Sequence, residues 1–318
     1  MPNNKLPQTI PNFYISPVSW GLGDLVVCLP IIQELISRQI PTYGIYSNAL
    51  QKEAYDSVIG LKGSISHNDI NKIDTAAQII NLRNHDLQKN YWWGGTLFKQ
   101  NYPNYHINDI LKIICNDFNL PFAEHKLVKL THQKLPQYEN TLIFIANSFG
   151  PFKSWPTEYW LEIHRFLTKH NYNVILLGRI NESQQLADLI NLGVKHVDTP
   201  QLSSAINILS SAKAVVTIDS GLAHISVNQG TPTIIMFGHN DVYYRPYPNS
   251  YNISAKHCSI LCNEQYDKFS NTNPDKNFAT FLPWDCKAEI TLKCMSTIMP
   301  QSVIDKLSMI LKLNNAKV

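Results

Sequence analysis

One apolar strand that runs directly into a helix constrains the fold of this chain more than any other stretch. Residues 215–218 are apolar or β-branched, Asp219, Ser220 and Gly221 follow at once, and a helical pattern begins there. Asp, Ser and Gly are residue types that start helices and tolerate tight turns. The first N–H groups of such a helix lack intrahelical partners, and the helix dipole favours an anion beside them. The sequence therefore predicts a phosphate-binding turn after a buried strand.

Strand and helix patterns alternate along the rest of the chain. Strands are predicted at residues 12–18, 43–47, 76–82, 141–146, 173–177 and 231–237. Such alternation is typical of parallel sheets with helices on both faces, and ligands bind at the carboxyl ends of their strands. We predict an α/β protein with two Rossmann-like parallel-sheet domains facing across a cleft, at residues 1–138 and 139–295, followed by a terminal helix within residues 296–318.

The composition of the 318 residues indicates a globular protein and limits its partners. The chain is 44% hydrophobic and 16% charged, which is enough apolar material for a real core. Its net charge of +3 permits anionic ligands but is not the dense basic surface that nucleic acid requires. There is no run of 18 apolar residues, and residues 1–11 lack the apolar core of a signal peptide. We expect a cytoplasmic protein that at most contacts the inner face of the membrane peripherally.

A glycine turn after the first strand carries a carboxylate. The pattern Gly21-x-Gly23 invites a dinucleotide interpretation and hence an NAD-linked oxidoreductase. The third glycine is missing, however, and no acidic residue follows the next strand to bind a ribose. Asp24 would repel a pyrophosphate in this turn but would serve as a base for a hydroxyl substrate. The alternative is that Asp24 only caps the helix that follows.

Several motifs at strand ends resemble a known family when they are taken together. They are Gly23-Asp24, Lys153-Ser154-Trp155-Pro156, Leu176-Leu177-Gly178, Asp219-Ser220-Gly221-Leu222-Ala223-His224, Gly230-Thr231-Pro232-Thr233 and Phe237-Gly238. In this order they resemble glycosyltransferase family 9, the ADP-heptose:lipopolysaccharide heptosyltransferases. The resemblance implies a GT-B fold whose terminal helix crosses back onto the N-terminal domain. It also implies an inverting transfer from a nucleotide-diphosphate sugar, with ADP-heptose the favoured donor and no catalytic metal.

The resemblance assigns roles to individual residues. Asp24 would deprotonate the acceptor hydroxyl, and Lys153 would neutralise the departing diphosphate, work that a metal ion does in other transferases. Asp219 would hold hydroxyls of the donor sugar, and Glu182 would hold the ribose. The whole nucleotide-sugar-binding set implied is Asn147, Ser148, Lys153, Glu182, Asp219, Ser220, Gly221 and His224.

These residues also have purely structural interpretations. Lys153 could be a solvated loop residue, and Glu182 could complement a helix dipole in the first turn. His224 could be a packed histidine bonded to backbone, and Asp219 or Ser220 could be a plain N-cap.

Four of the six cysteines lie in the C-terminal part of the chain. Cys258, Cys262, Cys286 and Cys294 have a spacing that can close around one tetrahedral ion, either zinc or iron. In this respect the chain resembles one branch of the family, which modifies bacterial autotransporters and uses four cysteines to hold iron. The alternative is that these cysteines are buried thiols.

The acceptor is the least defined part of the expected reaction. The resemblance implies a hydroxyl on a bacterial glycan, a lipid-linked or lipopolysaccharide-core saccharide, or a protein. Because the first half is shorter than usual in the family, a non-catalytic nucleotide-sugar or glycan-binding module on a decayed transferase fold is the alternative. Retention of both Asp24 and Lys153 argues for an enzyme, since a binding module has no use for a base.

Overall fold

The N-terminal half of the computed structural model is built around a parallel sheet. The structure describes residues 11–85, 107–122, 127–128, 130–147, 153–179, 183–238, 249–255 and 294–313. Its first elements are β1 (Phe13–Ser16), α1 (Leu22–Ser37), β2 (Thr42–Tyr46), α2 (Ala49–Asp56), β3 (Ser64–Ser66), β4 (Gln78–Asn81) and α3 (Ile107–Asp117). The strand order in this sheet is β3-β2-β1-β4, and all its pairs are parallel.

The C-terminal half forms a second, larger parallel sheet. Its elements are β5 (Thr141–Ile145), α4 (Thr157–Lys169), β6 (Asn173–Leu177), α5 (Gln184–Asn191), β7 (His196–Val197), α6 (Leu202–Ser211), β8 (Ala214–Ile218), α7 (Gly221–Asn228), β9 (Thr233–Phe237), β10 (Ser250–Ser254) and α8 (Pro300–Leu311). The strand order is β10-β9-β8-β5-β6-β7. Every residue of β5, β8 and β9 is buried, because helices cover both faces of a parallel sheet. The predicted α/β fold with two parallel sheets is confirmed.

A single apolar core connects the two halves. One cluster of buried residues joins Ile15 and Leu29 of the first half to Ile143, Val215 and Ile225 of the second. Burial of this continuous apolar surface is what favours association of the two sheets. The halves therefore meet through packed helices, chiefly α1 against α7.

Hydrogen bonds between the two halves fix their relative position. The carboxylate of Glu53 in α2 accepts a hydrogen bond of 2.7 Å from the backbone N–H of Leu202, where α6 begins. The amide side chain of Asn228, at the end of α7, exchanges two bonds of 2.8 Å with the backbone of Val128. Both contacts satisfy groups that would otherwise be costly to bury between the halves.

The terminal helix packs on the C-terminal half, so the expectation that α8 crosses back onto the N-terminal domain is wrong. Val303 and Leu307 of α8 lie in one buried cluster with Trp155 and Trp160. The indole N–H of Trp155 donates to the backbone carbonyl of Ile298 at 2.8 Å. The aromatic pair beside α4 supplies an apolar surface that the apolar stripe of α8 covers.

Helix α2 was not expected from the sequence. Asn48 begins it, and its side chain accepts a bond from the N–H of Gln51. The buried residues of α2 are Gln51, Ala54 and Tyr55, too few apolar positions to give a helical period.

None of the described helices is long and apolar enough to span a membrane.

Candidate active site between the two sheets

Three charged side chains form a cluster where the two halves meet. Lys153 Nζ lies 2.6 Å from Oδ2 of Asp219, and the two side chains are only 21% and 26% exposed. Asp24 of α1 is close enough that the charges of Lys153 and Asp219 move its pKa in opposite directions. The structure thus brings together three residues that sequence analysis assigned to one site, and the interpretation of Lys153 as a solvated loop residue is wrong.

Asp24 is held in place by the start of its own helix. Its Oδ2 accepts a hydrogen bond of 3.0 Å from the backbone N–H of Gly21. Burial raises the pKa of Asp24, while the Gly21 bond and the charge of Lys153 partly oppose that rise. A carboxylate with a raised pKa is a stronger proton acceptor once it is ionised. Asp24 therefore does cap the helix, and the cap fixes the direction of a potential base.

The N-terminus of α7 borders the same cluster. Ser220 is the N-cap, and its hydroxyl accepts a bond of 3.2 Å from the N–H of Ala223. Of the two candidates for a plain N-cap, Ser220 has that structural role, whereas Asp219 is ion-paired with Lys153. The other N–H groups of the first turn and the helix dipole remain suited to an anion.

Helices α1 and α7 cross at two glycines beside the charged cluster. A Cβ atom on Gly221 would lie 2.8 Å from the Cβ of Leu22, and one on Gly23 would lie 2.8 Å from Cδ2 of His224. His224 is therefore packed against the first turn of α1. The close approach places Asp24 beside the helix start that follows Asp219.

The glycine crossing gives a prediction about stability. We expect Gly221→Ala to lower the free energy of unfolding by about 1–3 kcal/mol, because its Cβ meets a Cβ that no rotation can move away. Gly23→Ala should cost less, since the ring of His224 can turn. Thermal or urea unfolding measures both variants.

A second substitution serves as the control for this crossing. In a His224→Ala background, Gly23→Ala should carry little further cost in stability, because the ring atoms that the new methyl would meet are gone. Gly221→Ala should cost as much in that background as in the wild-type protein, because its Cβ meets Leu22. If the His224→Ala background reduced the cost of both glycine substitutions, or of neither, the proposed geometry would be contradicted.

Neighbouring strand ends supply a further polar residue. Asn147 follows β5, and its Oδ1 lies 2.9 Å from where a Cβ on Gly178 would be, at the end of β6. Gly178 has a φ of +152°, in the region that favours glycine. Asn147 thus lies at the sheet edge that also carries the Asp219 turn, since β5 pairs with both β6 and β8. Ser148 and Glu182 lie outside the described residues.

Two residues of the N-terminal half were missed by the sequence analysis. The guanidinium of Arg83 lies 3.7 Å from the ring centroid of Trp20, in the turn before Asp24. Burial lowers the pKa of Arg83, and the nearby charge of Asp24 opposes that shift. The sequence offered one signal for Arg83, a charged residue directly after a predicted strand. That position lies near Trp20 and Asp24 only because β4 pairs with β1, which the local sequence does not show.

The predicted cysteine cluster is only partly described. Cys294 is buried at the start of a short 3₁₀ helix, Cys294–Thr297, next to α8. Cys258, Cys262 and Cys286 lie outside the described residues. Within the part of the chain that is described, no three or more His, Cys, Asp or Glu residues are grouped to hold a metal ion.

Comparison with protein-family models identifies a match over well over half of the chain. The model for glycosyltransferase family 9 (heptosyltransferase) matches residues 46–279. The match includes Lys153 and Asp219 but begins after Asp24.

Known proteins show the same likeness. Lipopolysaccharide heptosyltransferase 2 of Salmonella typhimurium is 29% identical over 110 residues, which cover 31% of this chain and 30% of that protein. Among solved structures, a family 9 glycosyltransferase from Veillonella parvula has a TM-score of 0.67 at 14% identity, covering 96% of this chain and 98% of that one. The iron-containing glycosyltransferase TibC from enterotoxigenic E. coli H10407 has a TM-score of 0.65 at 14% identity, covering 95% and 76%. The structural likeness confirms the predicted GT-B fold.

Proposed function

The chain belongs to glycosyltransferase family 9, and from that premise we propose that it transfers a sugar from a nucleotide diphosphate to an acceptor hydroxyl. The favoured donor is ADP-heptose, and the transfer is inverting and needs no catalytic metal. The observation that supports this proposal is the cluster of Asp24 with the Lys153–Asp219 pair, contributed by opposite halves of the molecule.

The proposed reaction is a single displacement at the anomeric carbon. Asp24 takes the proton of the acceptor hydroxyl as its oxygen bonds to that carbon on the face opposite the leaving group. The bond from the anomeric carbon to the diphosphate oxygen breaks, and ADP departs with the electron pair. Attack from the opposite face inverts the anomeric configuration.

Lys153 and the start of α7 stabilise the leaving group in this scheme. A fixed ammonium group and helix N–H groups lower the energy of the charge that develops on the diphosphate. In the structure Lys153 is ion-paired with Asp219. When the donor binds, the ammonium group of Lys153 would contact the diphosphate in addition to Asp219 or in place of it. Asp219 would then be available to hydroxyls of the donor sugar, with Asn147, Ser148, Glu182 and His224 completing the proposed donor site.

The identity of the donor is supported by relatives. TibC has been solved in complex with ADP-D-beta-D-heptose, and curated relatives are named as lipopolysaccharide heptosyltransferases. The matched segment spans only 30% of the Salmonella lipopolysaccharide heptosyltransferase 2. We therefore keep a lipopolysaccharide core, another bacterial glycan and a protein as acceptor classes. We also propose that residues 1–138 bind the acceptor and residues 139–295 the donor, with α8 packed on the latter.

A nucleotide panel tests the proposed function. ADP-heptose and ADP should raise the melting temperature of the protein, while UDP and GDP sugars should raise it less. With candidate acceptors present, ADP should be released at a rate that depends on acceptor concentration. ADP-heptose binding without turnover on any acceptor would instead favour the non-catalytic binding module. No binding of any nucleotide sugar would contradict both.

We also propose that Cys258, Cys262, Cys286 and Cys294 hold a structural zinc or iron ion. Support comes from their spacing and from the iron in TibC. Elemental analysis of purified protein should find stoichiometric zinc or iron, and Cys262→Ser should remove it and lower the melting temperature. Cys115→Ala, in α3, is the control and should keep the metal. Metal-free wild-type protein that remains folded would contradict the ion site.

A further inference from the structure

The N-terminal sheet has its own crevice at the carboxyl ends of its strands. Strand β1 lies between β2 and β4, so the chain leaves β1 towards one side and returns on the other. Ligands of open parallel sheets bind where the connections diverge in this way. The turns at this point carry Trp20, after β1, and Arg83, after β4.

Trp20 and Arg83 form an aromatic and cationic surface at this crevice. The Arg83 guanidinium lies 3.7 Å from the ring centroid of Trp20, a cation–π stack. Trp20 nevertheless remains 45% exposed. Among the described side chains, no carboxylate lies within ion-pair distance of Arg83, although its charge is partly withdrawn from water. A partly desolvated guanidinium without a carboxylate partner favours binding of an anion.

The turn that carries Trp20 is held by side-chain hydrogen bonds to its backbone carbonyls. The side chain of Asn48 donates to the carbonyl of Trp20 at 2.8 Å. Gln51, which is fully buried, donates to the carbonyls of Ser19 and Gly21 at 3.0 and 3.3 Å. The indole is thus presented by a braced turn, and pre-organised aromatic groups lose little entropy on binding.

An amide oxygen at the same crevice lacks a partner. Asn81 ends β4 and pairs in register with Ser16 at the end of β1. Its Oδ1 is buried and accepts no hydrogen bond from any described group. A buried acceptor of this kind is costly unless something donates to it, and a sugar hydroxyl would do so.

We propose that Trp20 and Arg83 form the acceptor subsite and select an acidic sugar, one that carries a carboxylate or a phosphate. The proposal rests on the proposed function, because it places the acceptor next to Asp24. The exposed indole contacts the sugar ring, and Arg83 binds the anionic group with two parallel N–H donors. The donor diphosphate is served separately by Lys153 and α7, which belong to the other half of the molecule. A serine or threonine side chain would use neither the indole nor the guanidinium.

Binding of small glycosides to the ADP-saturated protein tests this subsite. The probes are methyl glucuronoside, methyl glucoside carrying a phosphate, neutral methyl glucoside and a serine-rich peptide, followed by calorimetry or ligand-observed NMR. Wild-type protein should bind at least one acidic glycoside about 10-fold or more tightly than the neutral one, the effect expected for charge-assisted hydrogen bonds. The two acidic probes distinguish carboxylate from phosphate.

Variants separate the two parts of the subsite. Arg83→Gln should remove the preference for the acidic glycoside, and Arg83→Lys should keep part of it, because lysine has the charge without the planar fork. Trp20→Ala should weaken binding of all three glycosides alike. Arg38→Gln, an exposed arginine at the far end of α1 that pairs with Glu34, is the control and should change nothing. The ADP-induced melting shift reports that each variant is folded.

Four results would overturn the proposal. One is equal affinity of the wild-type protein for acidic and neutral glycosides, and another is a preference that survives in Arg83→Gln. The third is peptide binding as tight as that of the glycosides, which would indicate a protein acceptor. A loss of ADP binding in Arg83→Gln would place Arg83 in the donor site instead. If ADP-heptose does not bind but the acidic preference is present, the proposed function fails and this subsite remains.

Discussion

Asp24→Asn should lower kcat by about 10²–10⁴-fold, the range by which a positioned general base accelerates a reaction. Asparagine keeps an oxygen that can accept the N–H bond of Gly21, so the helix cap and the fold should survive. Donor binding should also survive, because the proposed diphosphate contacts are made by Lys153 and α7. Steady-state ADP release and the ADP-heptose melting shift measure the two quantities separately.

A carboxylate elsewhere in the same half provides the control. Asp56→Asn, in an exposed ion pair with Lys52 at the end of α2, should leave kcat unchanged. Because burial raises the pKa of Asp24, wild-type activity should fall on acidification at a higher pH than an ordinary aspartate would give. Full activity of Asp24→Asn would reduce Asp24 to a helix cap.

Lys153→Met should lower kcat by about 10²–10³-fold, as expected when a preorganised group that stabilises the leaving charge is removed. The substitution also leaves the Asp219 carboxylate close to Asp24 with its cation gone. Lys153 lowers the pKa of Asp24 and Asp219 raises it, so the pKa of Asp24 should rise further. The acid limb of the pH–rate profile should therefore move to higher pH, a change that loss of packing would not produce.

The matched control is a second Lys–Asp pair with the same separation. Lys52 Nζ also lies 2.6 Å from a carboxylate oxygen, that of Asp56, but both side chains are half exposed. Lys52→Met should affect neither rate nor pH profile, because exposed pairs contribute little. Lys153→Arg should retain part of the activity. An unshifted acid limb in Lys153→Met would contradict the charge coupling between Lys153 and Asp24.

The parallel sheets could be predicted because their strands are encoded locally. β5 and β8 are short apolar runs that end in turn-forming residues, and such runs suit strands buried on both faces. Helix α8 was also predicted, but its placement was wrong. An amphipathic pattern predicts which face of a helix is buried, but it does not predict which part of the protein covers that face. In this structure Trp155 and Trp160 pack against α8.

The candidate site was predictable to the extent that its residues end strands. Asp219 was recognised directly after a strand, and Asp24 in the glycine turn that begins α1. The 2.6 Å pair between Lys153 and Asp219, however, is a tertiary contact between residues 66 positions apart. Arg83 was missed for a similar reason. Its partner Trp20 becomes a neighbour only because β4 pairs with β1, and strand order is not written in any local pattern.

The crossing of α1 and α7 at Gly23 and Gly221 also limits how the two halves of this protein can be exchanged with those of other family members. The proposed base and the proposed phosphate site are aligned by one interlocked contact in which Leu22 and His224 fill the remaining space. A chimera that takes its N-terminal half from one family member and its C-terminal half from another would bring together mismatched surfaces. A new acceptor specificity should therefore be introduced by substituting individual side chains of the first half. A whole-half exchange should succeed only if Leu22, Gly23, Gly221 and His224 all come from the same family member.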